Sequence, residues 1–177
     1  MLATVHAATL LGVRGHPVRV EVHVDNGLPA FNVVGLPDAS CKEARDRVRA
    51  ALVSSGFAWP SRRITVNLAP TGVPKAGAVL DLPMAVGLLV ACGEVEPTSI
   101  EGMAFLGELG LDGSVRPIPG ALPLVDAVEV DVVVVAPDNA DEARLVTPKV
   151  AHPIPDLRSL VLALRGEEPW PETGSST

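Results

Sequence analysis

In the stretch HPVRVEVHVDNG, Val18, Val20, Val22 and Val24 fall on one face, and Arg19, Glu21 and His23 fall on the other. A period of two predicts a half-buried strand over 16–25. Residues 3–10 alternate in the same way, and Asn26-Gly27 reads as a tight turn of positive-φ type. AFNVVGL (30–36) reads as a further strand. The apolar spacing then lengthens. At 100° per residue, Ala44, Val48, Ala51 and Leu52 cluster on one side, which predicts a helix within LPDASCKEARDRVRAALVSSGF. Ser40 with Glu43 fits a capping box, Asp38 competes as the cap, and Gly56 ends the helix.

RRITVNLAP (62–70) returns to strand. DLPMAVGLLVACGE (81–94) is apolar on every side and predicts a mostly buried helix, with Pro83 in the first turn where its missing N–H costs nothing. MAFLGELGLDGSVRPIPG holds two short strands around Leu111-Asp112-Gly113. GALPLVDAVEV is a short helix. DVVVVAPDN is a continuous apolar strand, as expected where both faces are covered. DNADEARL and DLRSLVLALRGEE are helices, and EEPWPETGSST reads as a mobile tail or the start of a linker. Strands interleaved with helices indicate an α/β fold. The early strands cluster as hairpins, so a mixed sheet with helices largely on one side fits better than a purely parallel one.

Composition narrows the function classes. The chain has 177 residues, 47% hydrophobic and 20% charged, enough for one domain with a real core. Its longest apolar run is about nine residues, against roughly 20 for a membrane span. The N-terminus lacks the basic start of a signal peptide and reads as a strand, so the expected compartment is the cytoplasm, with no membrane partner. Cys41 and Cys92 show neither metal spacing nor scaffold density and are expected to be free, buried thiols. Net charge is −7 but uneven: residues 1–75 carry nine Lys/Arg against five Asp/Glu, and residues 76–177 carry five against sixteen. Lys42, Arg45 and Arg49 lie within about 60° of one another on the predicted helix. With help from Arg47, Arg62 and Arg63 they form a candidate phosphate-binding face. A solvated face laced with Glu43 and Asp46 is the alternative.

Several chemistries are missing. There is no Walker A motif, no G-x-G-x-x-G, no HExxH and no G-x-S-x-G. His6, His16, His23 and His152 lack ligand spacing, although His6 and His23 could sit on adjacent strands. Asp81, Glu108 and Asp112 are scattered acids that suggest no metal site. Phe31, Phe57, Trp59 and Phe105 are read as core, which argues against a base-stacking platform. NLAPTGVPKAGAVLDLPMA (67–85) has the build of an active-site loop, yet its only hydroxyl is Thr71.

VVGLPD, KEARDRVRAAL, RRITVNLAP and DLPMA follow one another in an order that resembles the N-terminal domain of the ComM/YifB family, the bacterial magnesium-chelatase-like AAA+ ATPases. The likeness covers roughly residues 1–165. It implies a mixed-sheet, two-layer α/β domain similar to the proteolytic domain of the Lon proteases and to the C-terminal domain of the recombination protein RadA. Residues 166–177 would then be a tail or the start of a linker to an AAA+ module. ATP and magnesium are expected for that module and no cofactor for this chain. The resemblance further implies a parent acting as a hexameric helicase in branch migration during natural transformation. Self-association and branched or single-stranded DNA are the expected partners.

The Lon likeness bears on the 67–85 loop. Pro74, Lys75 and Gly77 match the Lon nucleophile loop, and Val79 stands at the serine position. In GELGLDGSVRPIPGAL, Gly107, Glu108, Gly113, Val115, Pro117, Ile118 and Gly120 match the second Lon signature, and Leu122 stands at the lysine position. A valine cannot attack a carbonyl and a leucine cannot take a proton, so a Ser-Lys peptidase is disfavoured. Both positions are expected to pack. No catalytic residue is assigned to this chain.

Overall fold

A computed structural model describes residues 1–75 and 77–171. β1 (Leu2–Leu11) and β2 (Arg14–Asp25) form a long antiparallel hairpin. Its two-residue turn is Gly12-Val13, and Gly12 supplies the positive φ of 65° that such a turn needs. Opposed pairs Ala3/Val22, Val5/Val20 and Ala7/Val18 bury the predicted apolar face. β3 (Ala30–Val34) does not continue as a hairpin. After α1 (Asp38–Ser54) the chain returns as β4 (Arg63–Ala69), which lies parallel to β3 and antiparallel to β2.

The Asn26-Gly27 expectation is therefore corrected. Gly27 has no positive φ, and its N–H donates to Asp25 Oδ1 at 2.9 Å, a local aspartate turn. The capping box is absent too. Pro37 is the N-cap of α1, with no side-chain cap bond. The other end matches expectation: Gly56 (φ 90°) and Phe57 donate back to Val53 O and Leu52 O, a Schellman close.

α2 (Asp81–Ala91) is buried along its whole length against β1 and β2, with α1 on its outer side. Gly87 makes this possible, because a Cβ there would lie 2.5 Å from Val22 Cγ2. The second half of the chain adds β5 (Met103–Phe105), the β6–β7 hairpin (Glu108–Leu109, Val115–Arg116), α3 (Ala121–Ala127), β8 (Val132–Val135), α4 (Ala140–Ala143), β9 (Val150–Pro153) and α5 (Leu157–Leu164). The main sheet runs β3-β4-β2-β1-β5-β8-β9, mixed on the first half and parallel from β1 through β9.

This is the mixed-sheet two-layer α/β arrangement, with one addition. α3 packs against the Leu10 and Gly15 side of the hairpin, opposite α2, and so gives partial cover to the second face. β8 is buried on both faces, as its unbroken valine run indicated. β9 was not legible, because Pro148 stands just before it and Pro153 is its last residue, and both punctuate the pattern. Of the expected tail, residues 166–169 are exposed, but Trp170 lies against the domain and stacks on His152 of β9, with ring centroids 4.5 Å apart. Residues 172–177 lie outside the described residues. Among the described residues no helix is long and apolar enough to cross a membrane.

Candidate functional site

α1 carries the predicted basic residues on a flank beside its buried side, Ala44, Val48, Ala51 and Leu52. Lys42 and Arg49 are exposed, with no ion-pair partner among the described residues. Arg45 is half-buried and spends its guanidinium on Asp46 at 3.1 Å. Arg62 and Arg63 are both exposed at the start of β4, but they part company. Ile64 points into the core, so Arg63 projects to the opposite side of the sheet, where its stem lies against Gly27. Arg62 instead sits with Phe57 and Pro60 beside α1 and α2. The fold thus sets Arg62 in a cleft with Leu52 of α1 and leaves Arg63 on the opposite side of the sheet.

Arg47, which lies off that strip, makes a two-bond ion pair with a buried carboxylate. Its Nε donates to Asp81 Oδ2 at 2.7 Å and its Nη2 to Oδ1 at 3.1 Å. Asp81 is 1% exposed, and Oδ2 also accepts from the Leu109 N–H at 3.3 Å. One carboxylate therefore joins α1, the start of α2 and β6. Burial pushes the Asp81 carboxyl up to about 6, against the lowering pull of Arg47 and the Leu109 N–H. The arginine is raised by its bond to the same carboxylate, with Glu108 and Glu43 adding to the field. Asp81 and Glu108 were read as scattered acids; the fold brings them to one guanidinium. The available signal was a single acid opening a helix with no polar side, although an acid in a first turn is common on dipole grounds alone.

The 67–85 loop carries no nucleophile where its likeness to Lon would place one. Val79 sits in a 3-10 turn (Ala78–Leu80), 9% exposed and packed in the core, with its carbonyl accepting from the Gly107 N–H at 3.2 Å. Leu122 does not pack as expected. It opens α3 and is 40% exposed, while its N–H is taken by Glu142 Oε1 at 3.0 Å. Short α3 turns its buried side, Ala121, Leu124 and Val125, onto the sheet, and position 122 falls off that side. Lys75 is 7% exposed and its ammonium donates to Pro70 O. Burial without a carboxylate partner pushes its pKa down.

A family model described as subunit ChlI of Mg-chelatase matches residues 20–139, about two thirds of the chain. The chain belongs to this ChlI-type family. It is 40% identical over 168 residues to the uncharacterized protein YifB of Salmonella typhimurium, covering 94% of this chain and 33% of that protein. It is 40% identical over 172 residues to the competence protein ComM of Haemophilus influenzae, covering 96% and 34%. YifB of Escherichia coli K12 is 43% identical over 147 residues, covering 82% and 29%. The chain thus spans about a third of the length of these relatives.

The stretch matched by the ChlI model contains the α1 strip, the Arg47–Asp81 clamp, Lys75, Val79 and Leu122. Among the described residues of this ChlI-type domain, no group of three His, Cys, Asp or Glu side chains comes together as a metal site. Nor does the register bring His6 and His23 together: His23 faces Leu2, and His6 faces Arg19. Both cysteines are free, but the expectation that they are buried fails. Cys41 is half-buried and Cys92 is exposed, because α2 ends at Ala91 and Gly93 (φ 81°) turns the chain outward. Of the four aromatics expected in the core only Phe105 is fully buried. Phe31, Phe57 and Trp59 are half-buried, and Phe31 and Trp59 pack at 5.6 Å between ring centroids.

Proposed function

We propose that this chain is the non-catalytic N-terminal domain of a larger, magnesium-chelatase-like AAA+ ATPase of the ComM/YifB type, and that it serves its parent by contacting DNA. The parent is read as a hexameric, cytoplasmic helicase that drives branch migration in natural transformation and recombination. ATP and magnesium belong to its ATPase module. Family membership, a span of about a third of the relatives' length and one relative named a competence protein support the parent class. The observation that carries the DNA contact is that Lys42, Arg49 and Arg62 are exposed and have no ion-pair partner among the described residues, in a chain whose net charge is −7. A local cationic strip acts over a Debye length of about 8 Å, so the overall charge does not cancel it.

The test is binding of a branched DNA at low and moderate salt, wild type against Lys42→Glu/Arg45→Glu/Arg49→Glu. Weaker binding with a shallower salt dependence supports the reading. Equal affinity of the two proteins removes the strip from the DNA interface. A second reading, a purely structural oligomerisation module, is favoured by one feature: β3 is an edge strand with Val34 exposed on it and Leu28 exposed just before it. Light scattering of the isolated chain separates a monomer from a ring former.

A further inference from the structure

The loop that follows α1 does more than return the chain to the sheet. With α1 and α2 it encloses a cleft of about 210 Å³. Leu52, Phe57, Pro60 and Leu88 form apolar walls. Three polar side chains stand at its edge, and their charges do not cancel. The Glu94 carboxylate is held by Arg165 Nη2 at 2.6 Å, and Arg165 Nε also donates to Glu94 O at 2.8 Å. Partial desolvation against the cleft wall pushes up the pKa of the otherwise exposed Cys92 thiol. Arg62 has no carboxylate within ion-pair distance among the described residues. The free charge of the cleft is therefore one guanidinium beside an apolar, partly aromatic slot.

The surroundings extend this pattern. Arg49 precedes Leu52 by three positions and lies within about 60° of it on the helix, so this exposed cation stands on the side of α1 that carries a cleft wall. Trp59, two residues beyond Phe57 on the same loop, is half-buried against Phe31. A slot that takes a flat apolar body, a cation at its lip and a line of further cations is the chemistry that holds an unstacked base and its phosphates. A duplex does not offer this, because its bases are stacked inside it.

We propose that the cleft between α1, α2 and the 55–62 loop receives one unstacked base of a single-stranded nucleic acid, with its phosphate on Arg62 and the neighbouring phosphates along Arg49 and Lys42. The proposal rests on the DNA-contact reading and adds to it a strand type and a pocket. Cys92 serves as a reporter, since an occupied cleft covers its thiol.

The experiment uses the whole chain, an oligothymidylate and a blunt duplex of equal length. Binding is followed by anisotropy and by the alkylation rate of Cys92, read separately from Cys41 by mass spectrometry. Phe57→Leu keeps the apolar wall and removes the ring, and Arg62→Gln removes the charge. Urea unfolding of each variant confirms a native fold. The expected result is single-strand binding at least tenfold tighter than duplex binding, with Cys92 protected by the single strand alone. Phe57→Leu weakens single-strand binding about fivefold or more. Arg62→Gln lowers the slope of log affinity against log salt by about one. Single-strand binding that leaves Cys92 alkylation unchanged and ignores Phe57→Leu overturns the cleft, while DNA contact elsewhere on the domain survives. Absence of binding to every DNA overturns both readings. Protection of Cys92 by self-association without DNA, seen by light scattering, gives the cleft to a second copy and also overturns the proposal.

Discussion

Replacing Arg47 by Met removes the one cation that pairs with the Asp81 carboxylate among the described residues. In the wild-type fold, burial wins over that partner: moving a carboxyl from 3.8 to about 6 corresponds to roughly 3 kcal/mol against the ionised form. The folded value lies above the unfolded one. Asp81 therefore favours the folded state fully below about pH 3.8, and that contribution is lost as pH rises through about 6. Arg47 limits the loss with two hydrogen bonds and its charge. In Arg47→Met only the Leu109 N–H, at 3.3 Å, still faces the carboxylate. At pH 8 the expected destabilisation is about 3–5 kcal/mol, the range for stranding a buried charge. At pH 5 the carboxyl is largely protonated, and the expected loss falls to about 1–2 kcal/mol, that of broken hydrogen bonds. Urea unfolding followed by circular dichroism at the two pH values measures both. Arg47→Met/Asp81→Leu should regain most of the stability at pH 8, because neither charge remains buried. Equal losses at pH 5 and pH 8 would show that Arg47 acts through packing alone and would refute the electrostatic reasoning.

Gly87→Ala should destabilise by about 1–3 kcal/mol despite the better helix propensity of alanine, because the new Cβ meets Val22 Cγ2 at 2.5 Å; thermal melting reads this, and an unchanged midpoint contradicts the close approach of α2 to the sheet. Asn139 is buried and exchanges two hydrogen bonds with the Ile118 backbone at 2.9 and 3.0 Å, so Asn139→Ala should cost about 2–3 kcal/mol in chemical denaturation. A fluorophosphonate serine probe should leave the chain unlabelled; labelling would reopen the peptidase reading that Val79 argues against. Trp170→Ala should speed proteolytic clipping after Arg165, since the stack on His152 is the aromatic contact of that segment; an unchanged cleavage rate would remove the stack as the anchor.

Much of the domain is legible in local pattern. The Val18–Val24 alternation, the 3.6-residue spacing of Ala44, Val48, Ala51 and Leu52 and the valine run at 132–135 each report their own burial, because side-chain direction follows backbone period. That position 79 carries no hydroxyl and position 122 no amine is likewise a matter of residue type. What the chain alone could not settle concerns partners distant in sequence. Whether β3 pairs with β2 or, through α1, with β4 depends on the global packing of two faces, and so does the existence of β9, preceded by Pro148 and ended by Pro153. Arg47 and Asp81 are 34 residues apart, and only the packing of α1 on α2 makes them one charged pair. Phe57 and Arg62 read as a core residue and a candidate phosphate contact until the turn after α1 sets them at one cleft. Residue type and period determined which chemistry this domain carries and which it lacks. Tertiary contact decided which of those groups act together, because burial, electrostatic coupling and clefts arise only between elements that the chain brings together from afar.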